Sequence, residues 1–253
     1  YIENGMGVKW KWLAKMFAFF GAGVGLLGIG TFTQVNGISS AVCNFFDPDK
    51  VNTIALFGRD YSIATIIAGL ALTVCVGLVV IGGLKRIASV SQVVVPFMAI
   101  IYFVFAFIVI VTHITALPAA IVAIVKSAFT GSALAGGAAG TMVVAMQKGI
   151  ARGIFSNEAG LGSAPIAAAA AQTHSTVRQG LVSMTGTFID TIVICTMTGL
   201  TIVITGTWNT GLEGVAITTA AFQKGLPFPP AVASLVLMVC LVFFAFTTIL
   251  GWN

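Results

Sequence analysis

Long apolar runs separated by short polar segments dominate the pattern of hydrophobic and polar positions along the chain. A helix needs about 20 mostly apolar residues to cross the roughly 30 Å hydrocarbon core of a bilayer. Five runs reach that length, the fourth of them crossed by a polar stripe: residues 12–46, 61–82, 91–112, 181–206 and 229–252. We expect spanning helices in these runs, because a helix bonds all of its backbone polar groups within one segment.

The segment 118–172 is too long for one spanning helix, and Gly-rich stretches interrupt it. The pattern predicts an interfacial helix at about 117–129 and one discontinuous spanning helix at about 140–172. The chain is therefore predicted to be a single transmembrane domain over residues 1–253, all-α and polytopic, with about six spanning helices. Lysines and arginines in short loops favour the cytoplasmic side, which places the loop that carries Lys9 inside.

The composition indicates that lipid, and not water, surrounds most of the chain. Hydrophobic residues make up 58% of the 253 residues and charged residues 8%, against roughly 25% charged residues in an ordinary soluble domain. The net charge is +5, but the basic residues are dispersed and form no stripe that would bind nucleic acid. We therefore predict a lipid bilayer as a partner and no nucleic acid.

Sequence motifs for enzymatic or metal chemistry are absent. The four cysteines lie in or at the end of apolar runs without metal-like spacing, which is typical of small buried side chains. The two histidines lie at span ends, without a second histidine at helical metal spacing. The sequence contains no P-loop, Rossmann fingerprint or HExxH motif, and it predicts a protein that is not an enzyme and has no cofactor.

The densest polar signal lies in the discontinuous helix, over residues 149–165 (GIARGIFSNEAGLGSAP). Each glycine weakens a helix by about 1 kcal/mol relative to alanine, and Pro165 would clash with the carbonyl of Leu161. Two half-helices are therefore predicted, with residues 155–163 unwound at mid-membrane depth. Free N–H groups at such a break attract a carboxylate and free C=O groups attract a cation. A kink made only for helix packing is the alternative.

Polar side chains crowd the same break, and an amino acid together with Na⁺ offers the two charges that the break suits. The candidates for substrate binding are Phe155, Ser156, Asn157 and Gly160. The candidates for cation binding or coupling are Glu158 and Ser163.

Three stretches, SNEAGLGSAPIA, VRQGLVSMTGTFIDT and AFTTILGW, resemble signature sequences of the alanine/glycine:cation symporter family, also called sodium:alanine symporters. The resemblance covers essentially the whole chain. It implies part of a five-plus-five inverted-repeat fold, in which two discontinuous helices hold the substrate and Na⁺. The first of those helices would precede Tyr1, so we expect a fragment, truncated at both ends, that does not transport by itself.

The function that the resemblance implies is symport of alanine or glycine with Na⁺ as the coupling ion, by a multi-pass protein of the plasma (inner) membrane. Proton coupling through Glu158 is the alternative within transport, because an intramembrane carboxylate permits it. A channel or a structural membrane subunit is the alternative from a different class. A channel would need a continuous polar pore, whereas the interrupted helix favours one occluded site.

A polar stripe follows the run 181–206. Its members fall within roughly a 100° sector at 3.6 residues per turn; they are Ser183, Thr187, Asp190, Thr191, Thr198 and Thr201. Such hydroxyls can also bond their own backbone or join neighbouring helices. The Asp190 carboxylate needs a partner at membrane depth, and a structural charge pair with Lys148 or Arg152 is predicted.

Two other spans carry further candidates. Thr248 and Trp252 share one helix face at i, i+4. The amide of Gln34 offers a donor and an acceptor that suit an amino acid. The resemblance places Phe32, Gln34, Thr248 and Trp252 near the substrate, and a hydroxyl beside Thr248, that of Thr247, near Na⁺. The alternatives are an interfacial anchor for Trp252 and hydrogen bonding between helices for Gln34.

Overall fold

The structure, a computed structural model, describes residues 2–56, 58–129, 143, 146–147, 149–151, 153–154, 157, 162, 164–169 and 171–252. Within these residues, five helical stretches are long and apolar enough to cross a membrane: Val8–Phe46, Ile63–Val80, Gly83–Thr112, Thr176–Thr205 and Pro230–Gly251. The predicted all-α polytopic class is confirmed. The predicted discontinuous span falls largely outside the described residues and stays a prediction.

The first long stretch is divided at a glycine. Helix α1 (Ile2–Met6) leads into α2 (Lys11–Leu26), and α3 (Ile29–Phe46) begins directly after Gly28. Gly28 has a φ of +61°, which glycine adopts without the steric cost that a Cβ brings. A Cβ built there would also lie 2.7 Å from Cε2 of Phe32. Only glycine therefore fits at the point where α3 begins.

A small antiparallel hairpin connects α3 to α4 (Ile63–Val80). Its strands are β1 (Thr53–Leu56) and β2 (Arg59–Ser62). Thr53 lies opposite Ser62, and Leu56 lies opposite Arg59. The hydrophobic pattern did not predict this hairpin, because strands of four residues are too short to show a clear alternation.

Asp47 ties the hairpin to the end of α3. Its carboxylate accepts hydrogen bonds from Ser62 Oγ at 2.6 Å and from the Val51 N–H at 2.9 Å, and its side chain is 7% exposed. The Ser62 hydrogen bond, with those from the backbone, lowers the pKa of the Asp47 carboxyl, while burial acts in the opposite direction. The ionised carboxylate thus holds both ends of the loop.

The remaining described helices follow α4 in chain order. The predicted interfacial segment is occupied by a helix with the predicted bounds, Leu117–Phe129, although its depth in a membrane is untested. The helices are α5 (Gly83–Thr112), α6 (Leu117–Phe129), α7 (Ala164–Ala168), α8 (Thr176–Thr187), α9 (Cys195–Thr205), α10 (Val215–Gly225) and α11 (Pro230–Trp252), with a π-helical segment, Phe188–Ile194, between α8 and α9.

The chain divides into two compact units, and the predicted single domain stays a prediction. The first unit comprises Tyr1–Met98 and Met238–Asn253. Its core joins α3, α4 and α11 through a buried apolar cluster of Ile38, Leu72, Ala245 and Ile249.

The second unit, Ala99–Leu237, contains α6 to α10 and the end of α5. Val109 and Phe222 are completely buried in it. A Cβ built at Gly225 would lie 2.5 Å from Cγ1 of Val109. The backbone of α10 therefore approaches α5 as closely as a glycine allows.

Candidate functional site

Asn157, from the centre of the predicted break, is hydrogen-bonded to the helix that follows it. Its Nδ2 donates to Oδ2 of Asp190 at 3.1 Å, and its Oδ1 accepts from Oγ1 of Thr187 at 3.4 Å. All three side chains are half-buried. Asp190 lies about 21 Å from either end of the candidate span Thr176–Thr205, taking 1.5 Å per residue. The second unit thus contains a polar network, the 157–187–190 network, at the middle of a membrane-length helix.

The two hydrogen bonds fix the orientation of the Asn157 amide. Its N–H group points to a carboxylate, which can only accept when ionised, and its oxygen faces a hydroxyl. The reverse orientation would bring Oδ1 against the Asp190 carboxylate, an acceptor against an acceptor. One rotamer of the amide is therefore favoured, and it depends on both partners.

The helix changes from α to π geometry where it carries Asp190. The N–H of Cys195 bonds to the C=O of Asp190, five residues earlier, within the π segment Phe188–Ile194. Insertions of this kind in α-helices occur frequently at functional sites. Thr187 is half-buried, whereas the adjacent Phe188 ring is 55% exposed. The polar residues of this segment therefore face Asn157, and the apolar side chain beside them is placed to meet lipid.

A tyrosine on α5 supports the far end of the π segment. The hydroxyl of Tyr102 lies 2.6 Å from Oγ1 of Thr198. Thr198 itself donates to the C=O of Ile194 at 2.8 Å, so the Tyr102 O–H is the donor in the pair. The sequence analysis missed Tyr102, and its signal was an isolated hydroxyl within a long apolar run.

Two other members of the predicted stripe have buried hydroxyl oxygens. Within the part of the chain that the structure describes, Oγ1 of Thr191 and Oγ1 of Thr201 have no hydrogen-bond partner. Thr201 is 0% exposed, and its backbone C=O accepts from Thr205 at 2.8 Å. The stripe therefore turns its polar groups into the second unit.

Gln34 and Thr248 lie on helices that pack directly against each other in the first unit. Gln34 is one turn before Ile38 on the same face of α3, and Ile38 packs in the cluster with Ala245 and Ile249 of α11. Both Gln34 and Thr248 are half-buried. The structure therefore places these two predicted substrate residues on neighbouring helices, and their contact with a substrate stays a prediction.

The hydroxyl of Thr247 donates back to its own helix, to the C=O groups of Phe243 at 3.1 Å and Phe244 at 3.0 Å. Its oxygen also lies 4.0 Å from Sδ of Met98. Because the proton points at backbone carbonyls, the lone pairs of the oxygen point away from them. That is the arrangement in which a threonine can serve as a cation ligand, the role predicted for it.

The other predicted site residues are placed less completely. The Phe32 ring is 70% exposed and lies over Gly28, and Trp252 is the last residue of α11. The predicted pairing of Asp190 with a base stays a prediction, since the structure shows Asn157 as a partner and both bases lie outside the described residues. Also outside them are Phe155, Ser156, Glu158, Gly160 and Ser163, with Lys148 and Arg152.

An apolar cavity of about 660 Å³ lies in the first unit, between α3, α4 and α11. Its polar margin is formed by Asp47 and Asn52, and the rest of its lining includes Leu72, Val242 and Phe246. A zwitterionic amino acid would leave its charges unpaired among such side chains, at a high cost in free energy. The cavity therefore does not suit the predicted substrate.

The membrane-length helices and the polar network at membrane depth define a polytopic membrane protein of the transporter class, in which polar groups at mid-depth line a solute pathway. The sequence matches the model of the sodium:alanine symporter family over residues 1–253. The chain belongs to this family, and the resemblance found in its motifs is confirmed.

Similar proteins agree with this assignment. The chain is 50% identical over 254 residues to an uncharacterized transporter of Haemophilus influenzae, covering 100% of this chain and 52% of that protein. It is 41% identical over 255 residues to the sodium/alanine symporter AgcS of Methanococcus maripaludis, covering 99% and 51%. It is 36% identical over 269 residues to the putative sodium/proton-dependent alanine carrier protein YrbD of Bacillus subtilis, covering 100% and 50%. The chain spans about half the length of the curated relatives it matches.

Proposed function

We propose that the protein takes part in sodium-coupled symport of a small neutral amino acid, alanine or glycine, across the plasma membrane. The observation that carries the proposal is the 157–187–190 network, which lies in a membrane-length helix of a member of the sodium:alanine symporter family. Polar groups at that depth are costly unless they serve a pathway or a partner. A zwitterionic substrate supplies the partner for such groups.

Thr247 supports the cation half of the proposal. Its hydroxyl proton is directed to the carbonyls of Phe243 and Phe244, so its oxygen can face a cation with its lone pairs. Na⁺ prefers oxygen ligands of this hard, neutral kind, as other hard cations do. The name of the relative AgcS, a sodium/alanine symporter, agrees with the same ion and substrate.

Proton coupling is the second candidate, and the name of the relative YrbD, sodium/proton-dependent, favours it. Glu158 would carry the proton, because a carboxyl group at membrane depth can be neutral in one state and ionised in another. The two candidates differ in what drives uptake: a sodium gradient at constant pH, or a pH gradient without Na⁺.

The test is uptake of labelled alanine by membrane vesicles that contain the natural gene product with this chain. An inward Na⁺ gradient at equal pH on both sides should drive accumulation, and replacing Na⁺ by choline should abolish it. Accumulation driven by a pH gradient in choline would favour the second candidate. No alanine or glycine accumulation under either gradient would refute the proposal.

Glu158 can be tested separately with Glu158→Gln, which removes the charge and keeps the shape. If the carboxylate helps to hold the cation, the Na⁺ concentration for half-maximal uptake should rise about tenfold, the loss of one charge-assisted contact. Glu213→Gln is the matched control, since Glu213 is exposed and lies in the loop before α10. An unchanged Na⁺ dependence in Glu158→Gln would remove this residue from the coupling mechanism.

A further inference from the structure

We propose that Asp190 is a positioning residue, which acts through Asn157 to set the affinity of the transporter for its amino acid. The inference rests on the proposed function and assigns Asp190 a role within the same site. Its basis is the pair of hydrogen bonds that hold the Asn157 amide between Asp190 and Thr187.

The first step concerns the carboxylate. Asp190 is half-buried at the middle of the candidate span Thr176–Thr205, where a charge needs a partner. The structure gives it the Asn157 side chain at 3.1 Å. A hydrogen bond to an ionised acceptor is roughly twice as strong as one between neutral groups. Asp190 therefore holds Asn157 more firmly than a neutral side chain would.

The second step concerns geometry. The π segment lets Asp190 face Asn157 while Thr187, the last residue of α8, faces the same amide from the preceding turn. Two residues of one rigid helix thus grip a single side chain from the segment with the SNEAGLGS motif. This arrangement fixes the amide before any ligand arrives.

The third step links position to affinity. A binding segment that is held in its bound conformation loses less conformational entropy when the ligand binds, and this improves affinity. Removing the grip should therefore weaken binding of the amino acid and leave the maximal rate nearly unchanged. A residue that only stabilises the fold would instead reduce the amount of active protein, and hence the maximal rate at constant KM.

The first experiment measures alanine uptake by the natural gene product at saturating Na⁺, for two pairs of variants. Asp190→Asn keeps an acceptor oxygen but loses the charge, and Asp60→Asn makes the same change on the exposed hairpin. Thr187→Val removes one of the two hydrogen bonds, and Thr185→Val is its control, because Thr185 is exposed and donates to the Leu181 C=O.

We expect KM for alanine to rise about tenfold in Asp190→Asn and about threefold in Thr187→Val, corresponding to the loss of a charged and a neutral hydrogen bond. Both controls should stay within about twofold of the wild type, and the maximal rate per folded transporter should stay within about twofold throughout. A fall in the maximal rate at unchanged KM would overturn the inference. So would an effect of Thr185→Val equal to that of Thr187→Val.

The second experiment does not depend on transport. Hydrogen exchange of peptides that cover residues 149–169 should be faster in Asp190→Asn and Thr187→Val than in their controls. The exchanged pair Asn157→Asp with Asp190→Asn restores an amide facing a carboxylate, and it should recover most of the protection. If Asp190→Asn fails to fold, Thr187→Val changes no charge and still gives the comparison.

The two experiments separate two kinds of failure. If the wild type accumulates no amino acid, the proposed function fails, while hydrogen exchange still shows whether Asp190 positions residue 157. If uptake is sodium-dependent but exchange over 149–169 is the same in all variants, the positioning inference is wrong and the proposed function stands.

Discussion

The close approach of α10 to α5 predicts a large effect from one methyl group. In Gly225→Ala, the new Cβ would lie 2.5 Å from Cγ1 and 3.2 Å from Cγ2 of Val109, and 3.0 Å from Cγ2 of Thr205. The best separation of two carbon atoms is about 3.5–4.0 Å. Val109 is completely buried, and a β-branched side chain in a helix has one strongly preferred rotamer. The neighbours therefore cannot turn away, and the helices must separate.

The magnitude follows from two opposing effects. Overpacking of a buried site costs about 1–3 kcal/mol, whereas Gly to Ala within a helix gains about 0.5–1 kcal/mol when nothing obstructs it. Gly225 is the terminal residue of α10, so we expect little of that gain and a net loss of about 1–3 kcal/mol. One kcal/mol corresponds to about 2–4 °C in a chain of 150–250 residues, so the thermal midpoint should fall by several degrees.

The assay is thermal unfolding of detergent-solubilised protein at one fixed scan rate, since membrane proteins often unfold irreversibly. Gly199→Ala is the control, because this glycine lies within α9 and a Cβ there meets nothing within 4 Å. Val109→Ala alone should lose about 2 kcal/mol of stability through the cavity it leaves. Combined with Gly225→Ala, it should lose less than the sum, because the cavity receives the new methyl group. Strict additivity, or an unchanged midpoint in Gly225→Ala, would refute the argument.

Three further predictions concern single groups. Tyr102→Phe removes the hydroxyl that donates to Thr198 and should lower the free energy of unfolding by about 1 kcal/mol, and an unchanged midpoint would contradict it. The pKa of Asp47 is lowered in the fold, so the stability advantage of the wild type over Asp47→Asn should be full above about pH 4, the pKa of an unfolded aspartate, and should fall as the pH drops through the lower folded-state pKa; a constant advantage down to pH 2 would contradict it. Phe155→Ala or Trp252→Ala should admit valine and leucine in competition with alanine, with shifts of roughly tenfold to a hundredfold, and unchanged selectivity in both variants would remove the two aromatic side chains from the pocket.

The helices could be predicted from the sequence because lipid leaves a strong compositional mark. The bounds of α6 agree with the predicted 117–129, and the long runs agree with helices to within a few residues at most ends. The division of the first run at Gly28 was missed. Its glycines suggested close helix packing, and nothing in the local pattern singled out one of them for a positive φ.

The site was predictable in its residue types and less so in its pairings. Asp190 was recognised as needing a partner, and the sequence analysis considered only oppositely charged groups. The structure shows the amide of Asn157 instead, which is a satisfactory partner because each N–H of an amide can donate to a carboxylate. The contact of Tyr102 with Thr198 joins residues 96 positions apart, and no periodicity within one helix contains that information.

The π segment Phe188–Ile194 gives the helix that contains it an unusual sensitivity to length. Its ladder bonds skip one residue more than those of an α-helix, so the segment holds one residue that a regular helix would not accommodate. Deleting any single residue there would allow α geometry to run through. Everything after it would then rotate by about 100° relative to Thr187, given 3.6 residues per turn. Thr198 would leave Tyr102 although every side chain of both contacts was still encoded, so a one-codon deletion should do more harm there than most substitutions.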